Sequence, residues 1–488
     1  MADVSLKIID SQNGLPLPCW ISLAKVSGEI LAPVGWLREV PTEPGSDVGG
    51  RIILGGLVWF AISGECELPG NQGECVLRVS GAPGFYWTDH PVNLFVGRLA
   101  VRLSTTTPSP GIPEGFITAD LRSHSVSAGV ALAEARAGNL QVVQVVASKS
   151  LPSDPRMTNL ASLTEALDSH GMALRNGCLV SRGTLNIQLD SGSLALLDCH
   201  RPVFPLCIDE SNAVAWSLLD WTAQCHRVRG LTVWADHARD QGHQSEAVCA
   251  VLEGEIDCFE IVDLCEKRPG GLSLWYAMAG AGFFIPLTGA SAKDSNKIPI
   301  GYLRTIFPVQ GGLTSFSQEA NVAQKSWVEG AKSGCSVVTR WPFLLTQEIN
   351  QVAGFFRVTT EIGPLAEPTT LEWVRPDGQV LAQRALFPAD VNQLITADLP
   401  GPLPNRLAAR LRDQGGDLIA HESFHRACNK ENGRPDLNPE MTRQLVGRLR
   451  SGIQWIENRA GTKPEGEMLY RKELFTKWVN HLLNRKTF

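Results

Sequence analysis

The chain lacks several features that would place it quickly in a functional class. Its 488 residues carry a formal net charge of −6, and no segment concentrates charges of one sign. Nucleic acid and acidic membranes attract proteins with a basic patch, so neither is expected as a partner. No run approaches the roughly 18 uninterrupted apolar residues of a membrane span, and the start, MADVSLKIID, does not resemble a signal peptide. We therefore expect a cytoplasmic protein.

The twelve cysteines also lack a recognisable pattern. None of them form C-x-x-C pairs, which argues against a zinc ribbon or a compact disulfide scaffold. Cys249, Cys258 and Cys265 lie in apolar stretches, where a thiol behaves as a small hydrophobic group. Most cysteines are therefore predicted to be reduced residues of the core.

Common catalytic motifs are absent as well. There is no G-x-S-x-G elbow, P-loop or strand-linked G-x-G-x-x-G, so a serine or cysteine hydrolase is not expected. Thirteen tryptophans stand against four tyrosines. The rings early in the chain could stack on a sugar or fill a core, and the core is the favoured role: Trp20, Trp36, Trp59 and Trp87.

What is present indicates a multidomain protein of α/β and all-β parts. A chain of this length needs about two to four hydrophobic cores. Alternating apolar residues predict an N-terminal β-sandwich over residues 1–104, followed by a linker rich in Pro, Ser and Thr at 105–113. Residues 114–345 have a mixed β/α rhythm. A second β-sandwich over 346–430 and a helical pair over 436–488 complete the prediction.

The central segment alternates short apolar runs with helical patterns. The apolar runs are Phe116–Leu121, Leu140–Ala147, Leu194–Cys199, Leu231–Ala235, Cys258–Val262, Phe283–Leu287 and Tyr302–Phe307. Roughly seven β/α units are what a closed or nearly closed parallel barrel requires. The sequence therefore predicts a distorted (β/α)7 barrel of the TIM type.

Polar residues follow the predicted strands at the end where such barrels carry their chemistry. They are Asp120, Arg122, His124, His200, Asp236, His237, Glu260 and Asp263. We expect them to converge on one mouth of the barrel. His226 lies on a helix, and His421 and His425 lack the glutamate of an H-E-x-x-H zinc motif, so these three are interpreted as structural.

Four segments, taken in order, resemble the PHP (polymerase and histidinol phosphatase) superfamily, in its CehA/McbA metallohydrolase branch. They are ADLRSH at 119–124, LTVWADH at 231–237, FFIPLTGASAKDSNKIPIGYLRTIF at 283–307 and WVEGAKSGCSVVTRWPFLL at 327–345. The resemblance implies a barrel whose imidazoles and carboxylates bind divalent zinc, manganese or iron. Such a centre activates water to hydrolyse a phosphoester, carbamate or amide.

Two departures from the family pattern affect the metal ligands. Arg122 stands where the family has the first histidine of D-L-H-x-H, and Ala292 stands where it has an aspartate. A guanidinium offers donors and no acceptor, and it brings positive charge to the place of a cation. Metal binding by His124, His200 and His237 is therefore predicted to be weak or absent. Lys293 and Asp294 would compensate only if their loop shifted, and a turn explains Asp294 equally.

Three functional hypotheses follow. The first is a catalytically impaired PHP-like protein that binds a protein partner or a small polar or anionic ligand, without a metal cofactor. Its binding residues would be Arg122, His200, Asp236 and Asp263. The second is an active metal-dependent hydrolase whose reduced site uses Asp120, His124 and His237 for catalysis, with His200 as a further ligand. The third is a structural or carbohydrate-binding protein that acts through its β-sandwiches.

Overall fold

A computed structural model describes most of the chain. The described residues are 3–35, 48–95, 100–105, 112–124, 126–149, 172–188, 191–208, 216–235, 244–262, 264, 271–309, 319–352, 355–389, 392–400, 406–426, 437–460 and 466–484. They form a mixed α/β structure in which strands predominate. Among them, no helix combines the length and the apolar character that crossing a membrane demands.

The first strands form two sheets around a shared core. The strands are β1 Val4–Asp10, β2 Cys19–Lys25, β3 Ile30–Leu31, β4 Arg51–Leu54, β5 Leu57–Ile62, β6 Glu65–Leu68, β7 Gly73–Ala82, β8 Tyr86–Leu94 and β9 Ala100–Thr105. One sheet has the order β6-β1-β9 and the other β4-β5-β2-β7-β8, with β3 beside β2. Leu6, Leu23 and Leu77 belong to the core between them. In β1, buried positions alternate with more exposed ones, as in a strand that faces a core on one side.

The early tryptophans divide between core and surface. Trp20 and Trp59 are fully buried, whereas Trp87 is 41% exposed and meets Trp59 edge-on, with ring centroids 6.0 Å apart. Trp36 lies outside the described residues. The core role predicted for these rings therefore holds for Trp20 and Trp59.

The central part combines strands with flanking helices. Its elements are β10 Phe116–Ser123, α1 Ala128–Ala137, β11 Val142–Ser148, β12 Met172–Arg175, β13 Cys178–Gln188, β14 Gly192–Leu197, β15 Cys207–Ile208, α2 Leu218–Arg227, β16 Leu231–Ala235, α3 Ser245–Leu252, β17 Cys258–Ile261, α4 Leu272–Gly280, β18 Leu287–Gly289, β19 Arg304–Pro308 and α5 Ala320–Lys332. Hydrogen-bonded neighbours follow the order β18-β17-β16-β14-β13-β11-β10-β19. Ser127 caps α1, and a Ser217–Asp220 capping box begins α2.

The segment after β18, at one end of this row, meets β10, near the other end. The segment after β18 pairs with the end of β10 through a parallel bridge between Ser123 and Lys293. The Ala292 amide donates to the Arg122 carbonyl at 3.0 Å, and the His124 amide donates to the Lys293 carbonyl at 2.6 Å. Arg122 and Ala292 therefore lie side by side, although they are far apart in the sequence.

Two strands, β14 and β19, depart from the all-parallel arrangement that the sequence predicts, and β19 runs antiparallel to β10. β14 runs antiparallel to both neighbours, with Gln188 opposite Gly192 on β13 and Leu197 opposite Leu231 on β16. The connection between β13 and β14 spans only a few residues, whereas a parallel return needs a crossover of a dozen or so. The chain therefore reverses as a hairpin, and β13, which the sequence reading did not identify, takes a place in the row.

The next strands continue the central sheet and add a second layer. They are β20 Val337–Thr339, β21 Leu344–Val352, β22 Phe355–Ile362, β23 Thr369–Val374, β24 Val380–Leu386, β25 Gln393–Pro400, β26 Arg406–Arg412, β27 Leu418–Glu422 and β28 His425–Arg426. β20 joins β19 to β27, and β21-β22-β25 form a separate sheet across a core that includes Trp373. Gly378, at φ +82°, occupies the turn between β23 and β24.

The helical pair at the C-terminal end packs on the central helices. It consists of α6 Pro439–Ala460 and α7 Gly466–Asn484. Asn438 Oδ1 accepts the Glu440 amide at 2.9 Å and so caps the start of α6. Arg471 on α7 and Glu246 on α3 form a buried ion pair at 2.9 Å. The pair of helices is thereby fixed to the central part by charge as well as by apolar packing.

Candidate functional site

The end of β10 carries three of the residues that the sequence singles out. Asp120 and Arg122 are two positions apart on β10, at a place where its pairing with β11 shifts register. Asp120 is fully buried, Arg122 is 4% exposed and His124, just beyond the strand, is half-buried. The end of β10 therefore carries polar side chains into a buried part of the protein.

Arg122 makes a bidentate ion pair with Glu260 of β17. Its Nε lies 2.9 Å from Oε2 and its Nη2 lies 2.7 Å from Oε1. Both side chains are buried. A planar guanidinium matches a carboxylate in this way and forms strong, charge-assisted hydrogen bonds. The pair connects two strands that lie far apart in the sequence.

His124 completes this group. Arg122 Nη1 lies 2.8 Å from His124 Nε2. Because a guanidinium nitrogen only donates, Nε2 must be the acceptor, and the imidazole is neutral in this contact. The guanidinium thus faces one carboxylate and one imidazole, which are the two ligand types that a PHP-like metal centre would use.

Backbone amides donate hydrogen bonds to the Asp120 carboxylate. The carboxylate accepts from the amides of Arg122 at 3.2 Å, Ser291 at 3.1 Å and Gly301 at 2.8 Å. Burial raises the pKa of Asp120 to about 6, and these hydrogen bonds oppose the rise. Burial also lowers the pKa of the neighbouring Arg304 to about 10. Asp120 therefore attaches β10 to the segment that follows β18.

The loop after β18 does not supply a replacement ligand. The fully buried Lys293 donates from Nζ to the carbonyl oxygens of Ile298 at 2.7 Å and Ser295 at 3.1 Å. Its ammonium also lies 3.4 Å from Glu134. Asp294 is exposed. The compensation considered for Lys293 and Asp294 is therefore not found, because one is bound within its own loop and the other faces solvent.

His200 is separated from the other predicted site residues. It follows β14, whose last residue, Leu197, lies opposite Leu231 at the start of β16. Because β14 is antiparallel, its carboxyl end points away from the end of β10. His200 is exposed there. The prediction that it joins His124 at one mouth is corrected by this reversal of a single strand.

Three predicted site residues lie outside the described part of the chain. They are Asp236, His237 and Asp263. The sequence predicts Glu260 within a strand, but it did not reveal the pairing of Glu260 with Arg122. The signal was available: a glutamate within the apolar strand Cys258–Ile261 must have a cationic partner if it is buried.

Among the histidines interpreted as structural, His421 forms hydrogen bonds within the protein. His421 is buried, its Nε2 accepts from the Tyr276 hydroxyl at 2.6 Å, and its Nδ1 donates to the Glu422 carbonyl. Burial and the charge of Arg410 lower the pKa of His421 to about 3, so it is neutral. The side chain of His425 is outside the described set.

His226 predicts a pH dependence of stability. Its ring contacts Asp257 and Glu255, each at 3.1 Å, and Lys332 also contacts Asp257. The hydrogen bond to Asp257 raises the pKa of His226 above its ordinary value of 6.5. A raised histidine pKa adds stability that is complete below the unfolded pKa and is lost as pH rises through the folded pKa. We expect the stability difference between the wild type and His226→Gln to decrease from pH 5.5 to pH 8.5, about the range over which such a histidine titrates.

Denaturant unfolding at each pH tests this. His90→Gln is a control of opposite sign, because burial lowers the pKa of His90. A pH-independent difference for His226→Gln would contradict the prediction.

The described residues do not fit a divalent metal at the end of β10. A metal needs converging lone pairs, but His124 Nε2 and both oxygens of Glu260 already face the guanidinium. Within the described ranges, no cluster of three or more His, Cys, Asp or Glu residues is arranged to hold an ion. The cation at this place is Arg122 itself.

Comparisons with known proteins add little. No family model matches the chain, and no curated protein matches it. A search of solved structures finds the crystal structure of the lesion-specific endonuclease PfuEndoQ from Pyrococcus furiosus, at 12% identity and a TM-score of 0.29. The match covers 45% of this chain and 56% of that protein. A TM-score this low does not establish a shared fold.

Proposed function

We propose that this chain is a PHP-like protein, of the CehA/McbA type, that no longer hydrolyses a substrate through a metal. In this proposal the strands from β10 to β18 correspond to the distorted barrel of that superfamily. Arg122 takes the place of a metal ion, and the former centre is a structural ion pair. Asp120, His124 and His237 then have no catalytic role.

The contact of one guanidinium with both Glu260 and His124 carries the proposal. A fixed positive charge within hydrogen-bonding distance of both groups satisfies their lone pairs and repels a second cation. The position of Ala292 agrees with this reading. Its amide bonds to the Arg122 carbonyl, so the missing aspartate would have stood beside the missing histidine.

The same geometry argues against an anion at Arg122. Its Nε and Nη2 donate to Glu260, so a phosphate or carboxylate would have to displace a buried carboxylate. A ligand or protein partner is therefore proposed to bind through other residues of this end of the sheet.

Restoring the two missing ligands tests the proposal. We expect the wild type, purified without chelators, to hold far less than stoichiometric zinc, manganese or iron. The change Arg122→His with Ala292→Asp should raise zinc affinity by at least about tenfold, since it removes a cation and adds two donors. Ala292 has φ +49°, a conformation that aspartate tolerates better than most residues.

Elemental analysis and zinc titration give the two readouts. The control is Arg122→Gln with Ala292→Asp, which removes the charge without adding an imidazole. Stoichiometric metal in the wild type would refute the metal-free proposal. Equal affinity of the two double variants would show that the site is wrongly placed.

A further inference from the structure

Two cysteines outside the proposed site lie within reach of each other. Cys199 follows β14 and Cys225 lies in α2, and their Sγ atoms are 3.4 Å apart. Cys199 is 5% exposed and Cys225 is fully buried. Both are free thiols. The separation is about 1.4 Å longer than the roughly 2.05 Å of a disulfide, so a small side-chain movement closes it.

The backbone at Gly230 lies close to both sulfur atoms. A Cβ at Gly230 would lie 2.6 Å from Cys225 Sγ and 2.7 Å from Cys199 Sγ, closer than real atoms approach. The Gly230 amide donates to the Cys225 carbonyl at 2.9 Å. The absence of a side chain at Gly230 therefore lets the turn between α2 and β16 pass close to both sulfur atoms.

A surface cavity adjoins both cysteines along the chain. Its lining includes Arg201, two residues after Cys199, and Gln224 and Arg227, on either side of Cys225. The cavity therefore opens beside chain neighbours of both cysteines, although neither cysteine is among its lining residues.

We propose that Cys199 and Cys225 are an oxidation site that peroxide converts into an intramolecular disulfide. The Cys199 thiol loses its proton, and the thiolate attacks one peroxide oxygen. The O–O bond breaks, a sulfenic acid forms, and the leaving hydroxide takes up that proton to give one water. The Cys225 sulfur then attacks the Cys199 sulfur, the S–O bond breaks, and a second water leaves as the S–S bond forms. Two thiols lose two electrons in total, and the peroxide is reduced to two waters.

The environment favours Cys199 as the first sulfur to react. It is the more exposed of the two thiols. The hydrogen bond with Cys199, together with burial, raises the pKa of Cys225, so Cys225 stays a protonated thiol at neutral pH. Cys225 therefore acts as the resolving residue.

Treatment of the full chain with hydrogen peroxide, followed by alkylation and chymotryptic mapping, tests this. We expect a cross-linked peptide containing Cys199 and Cys225 that disappears on reduction. The variant Cys225→Ser should lose the cross-link and carry the oxidation on Cys199. The matched control Cys249→Ser, which changes another buried thiol, should keep it.

The mapping is made on the wild type, so it does not depend on the folding of any variant. If both cysteines remain alkylatable while the half-buried Cys335 is oxidised, the proposal is overturned. A disulfide that joins Cys199 to any other cysteine would overturn it equally.

Discussion

Arg122→Ala is expected to lower the free energy of unfolding by about 3–5 kcal/mol, because it leaves the Glu260 carboxylate buried without its partner. Urea unfolding measures the loss. The matched control is Arg357→Ala, which removes a bidentate but exposed pair with Asp398. Solvent and salt screen that pair, so no measurable change is expected.

Removing both charges together should cost much less than removing one. The double variant Arg122→Met with Glu260→Leu replaces the ion pair by apolar groups of similar size. Such replacements are often neutral, because neither charge is then buried alone. A double-mutant cycle should therefore give a coupling of at least about 3 kcal/mol, because each single change strands a buried charge that the double variant does not. Additive single effects would refute the structural role of the pair.

Added phosphate distinguishes the structural role of Arg122 from an anion-binding role. If Arg122 holds an anion, phosphate should raise the melting temperature of the wild type and not of Arg122→Ala. We expect no such difference, because Glu260 already occupies the guanidinium. A phosphate effect restricted to the wild type would contradict the proposed function.

The sequence was informative where one side chain carries a strong physical signal. The exchange of an imidazole for a guanidinium at Arg122 predicted a cation in place of a metal, and its contacts with Glu260 and His124 agree with that reading. The apolar run Leu231–Ala235 predicted β16 with its bounds. The hydrophobic periodicity of a segment and the hydrogen-bonding chemistry of a side chain are local properties. Both can therefore be predicted without knowledge of the fold.

The direction of a strand could not be predicted from the sequence in this way. The apolar run ending at Cys199 looks the same whether it runs parallel or antiparallel, and β14 proved antiparallel. That reversal moved His200 to the opposite end of the sheet. The pairing of Arg122 with Glu260 likewise depends on which strands are adjacent, and this is decided by the whole sheet.

The last prediction concerns the segment Trp327–Gly330, which resembles a family motif. Packing explains why its last residue is a glycine. Gly330 lies in α5, where a Cβ would approach the Pro308 carbonyl oxygen to 2.3 Å and Phe307 Cδ2 to 2.7 Å. Backbone cannot yield as a flexible side chain does. The absence of a side chain at Gly330 therefore lets α5 lie directly on β19.

Gly330→Ala should therefore lower the free energy of unfolding by about 1–3 kcal/mol, the cost of overpacking, although alanine is the better helix former. Gly447→Ala is the matched control, since Gly447 lies in α6 with open space around its would-be Cβ. There the helix preference acts alone, and a gain of about 0.5–1 kcal/mol is expected. If denaturant unfolding shows that Gly330→Ala lowers the free energy of unfolding and Gly447→Ala raises it, close contact of α5 with β19 is supported. Equal gains in both variants would show that α5 does not rest on that strand.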